Sequence, residues 1–525
     1  MITTDIILSP GYSQNDLESA LAGRLGGFAP AMLSYRILKE RIDVSCKSRI
    51  ICRLTVGVTL DEDSERALLR RKKLYREGTD LELVIPRSRL DERPVVVGFG
   101  PCGIFAALIL AEAGARPMVL ERGLDADGRA QSVKRFNETG MLDSESNIQF
   151  GEGGAGAFSD GKLKYGVADK YKMKVLTELV AAGAPEEILY SAGAHIGTDR
   201  LPSVIKKIRN KIISLGGEVI FSAKVGDILT DGGRVRAIEY EKDGKTFTVE
   251  ADNVILAAGH SARDVFTMLR ARGVLMSRKG IGVGVRIEHP QSLINELIYG
   301  DRTRSNALGA VSYRLVTHLQ GGRSVYSFCM CPGGSVVAAA SEQGGVVTNG
   351  MSAYARDLTN ANAAFLVSVL PSDYGGDDPL AGIEFQRRIE QGVFGLCEGY
   401  KAPVQLLGDF MKKENSSSFG AVYPTYPRGT FFKETDSYLP SFVTDSLRLA
   451  MPQFEAYLPG FVIPDAVMTG AETRSTSPVR IERNESRQAV GMSGLYPCGE
   501  GSGHAGGIVS SAADGIISAL ALLEK

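Results

Sequence analysis

The 525-residue chain lacks any excess of one charge: 60 lysines and arginines stand against 61 aspartates and glutamates, a formal net charge of −1. So balanced a chain has no global pull toward nucleic acid or a membrane surface. Histidine is scarce. His195, His260, His289, His318 and His504 are scattered without an H-x-x-x-H pair, and C-x-x-C does not occur, which excludes the common zinc spacings. G-x-S-x-G is missing, and with it the nucleophile elbow of a hydrolase. The seven cysteines are an odd number without a framework spacing, which points to reduced thiols and a cytoplasmic setting. Cys329 and Cys331, in "CMCPGG", lack the spacing of dithiol oxidoreductases. They read as small core residues, and Cys102 and Cys498 read as small packing residues. "MITTDIILSPGYS" has no basic region, and its apolar run is too short for a signal peptide. "AGGIVSSAADGIISALALL" is the most apolar segment. It contains Asp514 and several serines, so it reads as a buried helix and not a membrane span.

Glycine is abundant, at 61 residues, clustered in short runs with apolar flanks that read as tight turns near ligands. The clearest run is "VVVGFGPCGIFAALILAEAGARPMVLERG", Val95 to Gly123. An apolar strand leads into Gly98, Gly100 and Gly103, a match to G-x-G-x-x-G. A helix follows over Ile104 to Ala113, and "PMVLE" is a second strand ending at Glu121, about 23 residues after Gly98. Gly98 permits the turn, Gly100 lets the backbone approach a pyrophosphate, and Gly103 lets the helix pack on the sheet. The helix N-terminus then presents unpaired N–H groups to phosphate. Glu121 is placed to accept bonds from both ribose hydroxyls, and it would repel a 2′-phosphate. These parts are those of a dinucleotide site and do not by themselves separate FAD from NAD.

Two later segments, and a loop between them and the first, favour the flavin. "VEADNVILAAGHSARDVF" is a buried strand with a turn at Ala258-Gly259. It resembles the Ala-Thr-Gly strand and turn of two-dinucleotide-fold flavoproteins, with alanine in place of threonine. "GLYPCGEGSGHAGGIVSSAADGIISAL" resembles their last motif, with Glu500 where aspartate more often bonds the ribityl chain. The helix opening at Gly506, Gly507 and Ile508 is then aimed at the flavin ring, where its dipole favours negative charge. "NIQFGEGGAGAFSDGKLKY" stands where a loop crosses the cofactor, with Gly151, Gly153, Gly154 and Gly156 for close approach and Ser159, Asp160 and Lys162 as polar groups. Together these make residues 90 to 525 resemble the uncharacterised FAD-dependent dehydrogenase family, with a more distant similarity to aminoacetone-oxidase-like flavoproteins. The resemblance implies a glutathione-reductase-like FAD fold. It also implies a cofactor-binding set of Gly98, Gly100, Pro101, Cys102, Gly103, Glu121, Arg122, Arg129, Gly154, Gly156, Ser159, Asp160, Val225, Ala258, Gly259, Gly499, Glu500, Gly506, Gly507 and Ile508. Val225 is expected at the adenine through its backbone.

The expected fold is α/β in four segments. Residues 1–90 read βαββαβ, a ferredoxin-like module. Residues 91–275 and 470–525 form a discontinuous Rossmann-type FAD-binding domain. Residues 276–469 form an α+β substrate domain. In the last, "GIGVGVRIEH" spaces its glycines G-x-G-x-G and then alternates, which predicts a sheet strand and not a second nucleotide site. NAD(P)H, if it is the electron donor, must therefore bind transiently at the flavin face. The expected activity is that of an FAD-dependent oxidoreductase passing hydride through flavin N5 to or from a small molecule, without membrane or metal. Lys162, Arg474 and His504 are the candidate catalytic residues, with His260 a further candidate proton donor. The alternative is an RNA-associated or tRNA-modifying flavoprotein using basic residues of "RALLRRKKLYREG", although a solvated helix face is the more ordinary reading of that stretch.

Overall fold

The computed structural model describes residues 1–525 apart from 48, 71–75, 78–82, 162, 164–167, 302–307, 398 and 525, and of 76–77 the backbone alone. The first four strands form an antiparallel sheet in the order Ser34–Asp43, Ile51–Thr59, Ile2–Leu8, Arg76–Glu77. Helices Gln14–Leu25 and Glu62–Leu69 complete the ferredoxin-like arrangement. Strand alternation builds its core: Cys52, Leu54, Val56 and Val58 meet Leu17, Leu21, Leu25 and Leu68. Ser13 and Asp16 cap the first helix reciprocally. The fourth strand, which the sequence pattern suggests at 81–85, is found at Arg76–Glu77; residues 81–82 lie outside the described residues. The second helix, expected to reach Arg76, ends at Leu69, and most of the basic stretch after it, 71–75, is likewise outside.

The module ends earlier than residue 90. Leu83, Ile85 and Leu90 pack on the core of the next unit, and the Ser88 N–H donates to the Ala113 carbonyl at 2.8 Å. That unit is a five-stranded parallel sheet in the order Leu495–Pro497, Val254–Leu256, Val95–Val97, Met118–Leu120, Glu218–Ile220. Its central strands Val95–Val97 and Val254–Leu256 read as unbroken apolar runs because both faces are covered, whereas the edge strand Glu218–Ile220 is partly exposed. Val96, Val119 and Ile255 point to one core, shared with helices Pro101–Glu112, Asp169–Ala181, Leu201–Ser214 and Ile508–Leu523. Val95, Val97, Leu120, Val254 and Leu256 point to the other, shared with the three-stranded sheet of residues 224–250 and helix Arg263–Ala271. "IISALALL" is thus a helix inside the first of these cores, and no helix among the described residues is long and apolar enough to cross a membrane.

The remaining unit is a seven-stranded sheet in the order Val316–His318, Ser324–Cys331, Asn360–Val369, Ile281–Pro290, Val467–Glu472, Ala402–Leu406, Thr430–Phe432. "GIGVGVRIEH" is its central strand, paired residue for residue with Asn360–Val369. The boundary expected at 470 cuts the strand Val467–Glu472, which pairs on both sides inside this sheet. Return to the parallel sheet begins only after it, at Val479–Ile481, which pairs with Met276–Arg278.

Candidate functional site

A cleft of about 520 Å³ opens at the carboxyl ends of the parallel strands and extends to the seven-stranded sheet. Ligands of open α/β sheets bind at this edge. Helices Pro101–Glu112 and Ile508–Leu523 both start at the cleft, from Gly100 and Gly507, and neither start carries a side-chain cap. Two sets of first-turn N–H groups are thereby left for an anionic ligand. The cleft tests a dinucleotide directly. Gly154 has φ +56°, and a Cβ there would come within 2.9 Å of the Gly100 Cα, closing the cleft where the two loops meet. A Cβ on Gly103 would lie 1.9 Å from the Gly98 carbonyl oxygen, so only glycine lets this helix sit on its strand. The residues present fit a pyrophosphate-containing cofactor.

Gly98, Gly100, Pro101, Cys102, Glu121, Arg122, Gly154, Gly156, Ser159, Asp160, Val225, Ala258, Gly259, Gly499, Glu500, Gly506, Gly507 and Ile508 all line the cleft. Several have work besides any ligand. The Glu121 carboxylate accepts from the backbone N–H groups of Phe99 (2.7 Å), Gly123 (2.9 Å) and Gly151 (2.9 Å), so it knots three loops and keeps limited acceptor capacity for a ribose. Arg122 pairs with Glu145 and Asp264 over the Phe150 ring. Asp160 is forked by Arg356.

Arg129, expected among the cofactor-binding residues, does not line the cleft. It is 1% exposed and donates to the carbonyls of Asn147 (2.8 Å), Ile148 (2.9 Å), Gly151 (3.3 Å) and Glu152 (2.7 Å). It braces the loop behind the cleft, and burial pulls its guanidinium down to about 10. Gly103 likewise acts by packing and not by lining.

The catalytic candidates also move. Lys162 lies outside the described residues. His504 is outside the lining, its Nε2 bonded to the Ile481 carbonyl at 2.9 Å, and burial pulls its pKa down. Arg474 lines the cleft, but its fork is spent on Glu390, with Nε–Oε1 3.0 Å and Nη2–Oε2 2.7 Å. Arg263 forks the same carboxylate at 2.9 and 3.0 Å. One buried glutamate of helix Ala381–Phe394 thus holds an arginine of the nucleotide unit beside an arginine following strand Val467–Glu472. Burial, then Arg474 and Arg263, pulls cleft-lining His260 down to about 3, so its imidazole is neutral.

The far wall holds Phe328, Asn349 and Glu472, which the sequence reading passed over, and Cys329, which it took for a small core residue. Cys329 sits at a bulge in Ser324–Cys331, which breaks the alternation and turns it to the cleft while Cys331 stays buried. Glu472 is held by buried Arg286 at 2.6 and 3.2 Å. Glu500 is pushed up to about 7 by burial, against the pull of Lys279. It is thus a carboxyl in the cleft wall able to exchange a proton near neutral pH.

Residues 280–475 match a family model described as FAD-dependent protein, C-terminal domain-like. A Clostridium beijerinckii protein, described as an uncharacterized protein, is 47% identical over 99% of this chain and 98% of its own length. The chain belongs to the FAD-dependent protein family. Among solved structures, this FAD-dependent protein is similar to 3-ketosteroid-delta4-(5alpha)-dehydrogenase of Rhodococcus jostii (14% identity, TM-score 0.34, 84% of this chain and 99% of that one). It is also similar to L-proline dehydrogenase of P. horikoshii (11%, TM-score 0.37, 83% and 93%). A third is glycerol-3-phosphate dehydrogenase of Bacillus halodurans complexed with FAD (12%, TM-score 0.35, 83% and 65%). The Rossmann-type fold of the FAD-dependent protein rests on its own strand order.

Proposed function

We propose that this FAD-dependent protein is an oxidoreductase that holds FAD along the cleft and oxidises or reduces a small molecule against the wall formed by Phe328, Cys329, Asn349 and Glu472. The observation that carries the reading is the pair of uncapped helix N-termini that open side by side on one glycine-lined cleft, with Pro101 and Ile508 both bordering Gly156. The first, with Gly98, Gly100 and Pro101, suits the pyrophosphate. With FAD in the cleft, Glu121 and Val225 would border the adenosine, and Glu500 the ribityl chain. Ala258, Gly259 and residues 506–508 would wall the ring. When bound, FAD supplies two-electron chemistry, by hydride exchange at N5.

The chain's own part is positional and protonic. The Glu390 cage fixes the wall at Arg474, and the Arg286 fork fixes Glu472. Glu500 can hold or release a proton near neutral pH. NAD(P)H, if it is the donor, shares the substrate face, because the segment that resembled a second glycine motif is the central strand of a sheet.

Two measurements test this. Heat-denatured protein should release FAD, identified by chromatography and mass. Release of FMN, or of NAD alone, overturns the cofactor assignment. Anaerobic addition of NADH, NADPH and a metabolite panel should then bleach the flavin absorbance with at least one compound, and a flavin inert to all of them counts against turnover.

A further inference from the structure

The sequence holds no dithiol spacing, yet the fold makes a dithiol. Cys102 lies in the first turn of helix Pro101–Glu112, and Cys498 follows strand Leu495–Pro497. They are 396 residues apart in the chain, and their Sγ atoms are 3.1 Å apart. That separation is about 1 Å longer than a disulfide bond of ~2.05 Å. Both are free thiols, both line the cleft, and they are 5% and 1% exposed. Cys498 is held under the Leu256 carbonyl, and a Cβ on Gly499 would already lie 2.8 Å from the Cys102 Cβ.

We infer that Cys102 and Cys498 are a site of reversible two-electron oxidation, closing to a disulfide in the cleft wall when hydrogen peroxide enters. The inference is independent of which cofactor fills the cleft. Cys102 sulfur attacks one peroxide oxygen. The O–O bond breaks, a sulfenic acid forms and water leaves. Cys498 sulfur then displaces the sulfenic hydroxyl, the S–S bond forms and a second water leaves. The two sulfurs lose two electrons, the peroxide gains them, and both thiol protons end in water. Contact between the sulfurs favours the second step over further oxidation by solvent peroxide. The product ties the pyrophosphate-facing helix to the segment that carries Glu500. Burial, the largest influence on Cys102, pushes its thiol up. The pair therefore rests as thiols, and its oxidation is slow, because only the small thiolate fraction of Cys102 attacks the peroxide.

The test is peptide mapping of the full-length, cofactor-loaded protein after hydrogen peroxide, with free thiols blocked by iodoacetamide and no reductant. The expected product is one cross-linked species joining the Cys102 and Cys498 peptides, lighter than their sum by two hydrogens and removed by dithiothreitol. Cys498→Ser should abolish it and leave Cys102 as sulfenic or sulfinic acid. If that variant does not fold, the wild-type map decides alone. Recovery of both residues as alkylated thiols, their separate conversion to sulfinic acids, or cross-linking at Cys329 and Cys331 instead, overturns the inference.

Discussion

Glu121 accepts a 2.9 Å hydrogen bond from the backbone N–H of Gly151, thirty residues along the chain. The bond fastens the crossing loop to the end of the second strand of the nucleotide fold. With Phe99 and Gly123 on the same carboxylate, three buried N–H groups depend on one side chain.

Glu121→Ala should therefore destabilise the protein even without cofactor, by about 3 kcal/mol if each orphaned N–H costs at least ~1 kcal/mol. Urea unfolding of cofactor-free wild type and variant reads this directly. A variant as stable as wild type, deficient only in FAD retention, would show a purely ligand-binding glutamate.

Glu390→Gln removes the charge between Arg263 and Arg474 and leaves two buried guanidiniums side by side. The expected loss is about 3–5 kcal/mol, as for other broken buried pairs. The arginines hold Glu390 well below the usual carboxylate range. Its folded pKa is depressed, so its stabilisation is present above the ordinary carboxylate pKa and fades as pH falls through the folded value. The gap between wild type and variant should be flat from pH 5 to 8 and narrow only in acid. Thermal unfolding across that range measures it.

Glu500 has the opposite sign. Burial raises its carboxyl to about 7, so the folded state binds a proton that the unfolded chain has already lost. Its contribution is full below about 4.5 and is lost as pH rises toward 7, a slope on the order of 1 kcal/mol per pH unit. Glu500→Gln should flatten that part of the stability profile of the cofactor-free protein. An unchanged slope would place the titration on another group.

A chain starting at Leu83 should fold and retain FAD, whereas one starting at Asp91 should be less stable, because Leu83, Ile85 and Leu90 pack on the nucleotide-unit core. Both lose the pairing of Glu40 with Tyr190 and Ala192. Soluble yield, melting temperature and bound flavin of the two truncated chains decide. Equal behaviour would return the boundary to residue 90.

The nucleotide unit was legible because its signals are local. Val95–Val97, the glycines after it and Glu121 lie within one βαβ unit, where strand period, turn and helix start follow from neighbouring residues. The same locality made "GIGVGVRIEH" readable as a strand and placed the ferredoxin-like order of the first module. Boundaries were less legible. Pairing partners of Val467–Glu472 are more than sixty residues away, and nothing within the segment says that it belongs to the larger sheet.

By itself, then, the sequence determined where the cleft-lining glycine turns lie, that the fold is α/β, and which carboxylates end the strands. Those properties depend on backbone conformation and periodicity over a few residues. Only the tertiary structure decided what the side chains do. Arg129 faces carbonyls and not the cleft, Arg474 is spent on Glu390, and Cys102 meets Cys498 across 396 residues. Each of these is a contact between groups far apart along the chain. Charge, burial and sulfur chemistry act through distances in space, which chain spacing does not encode.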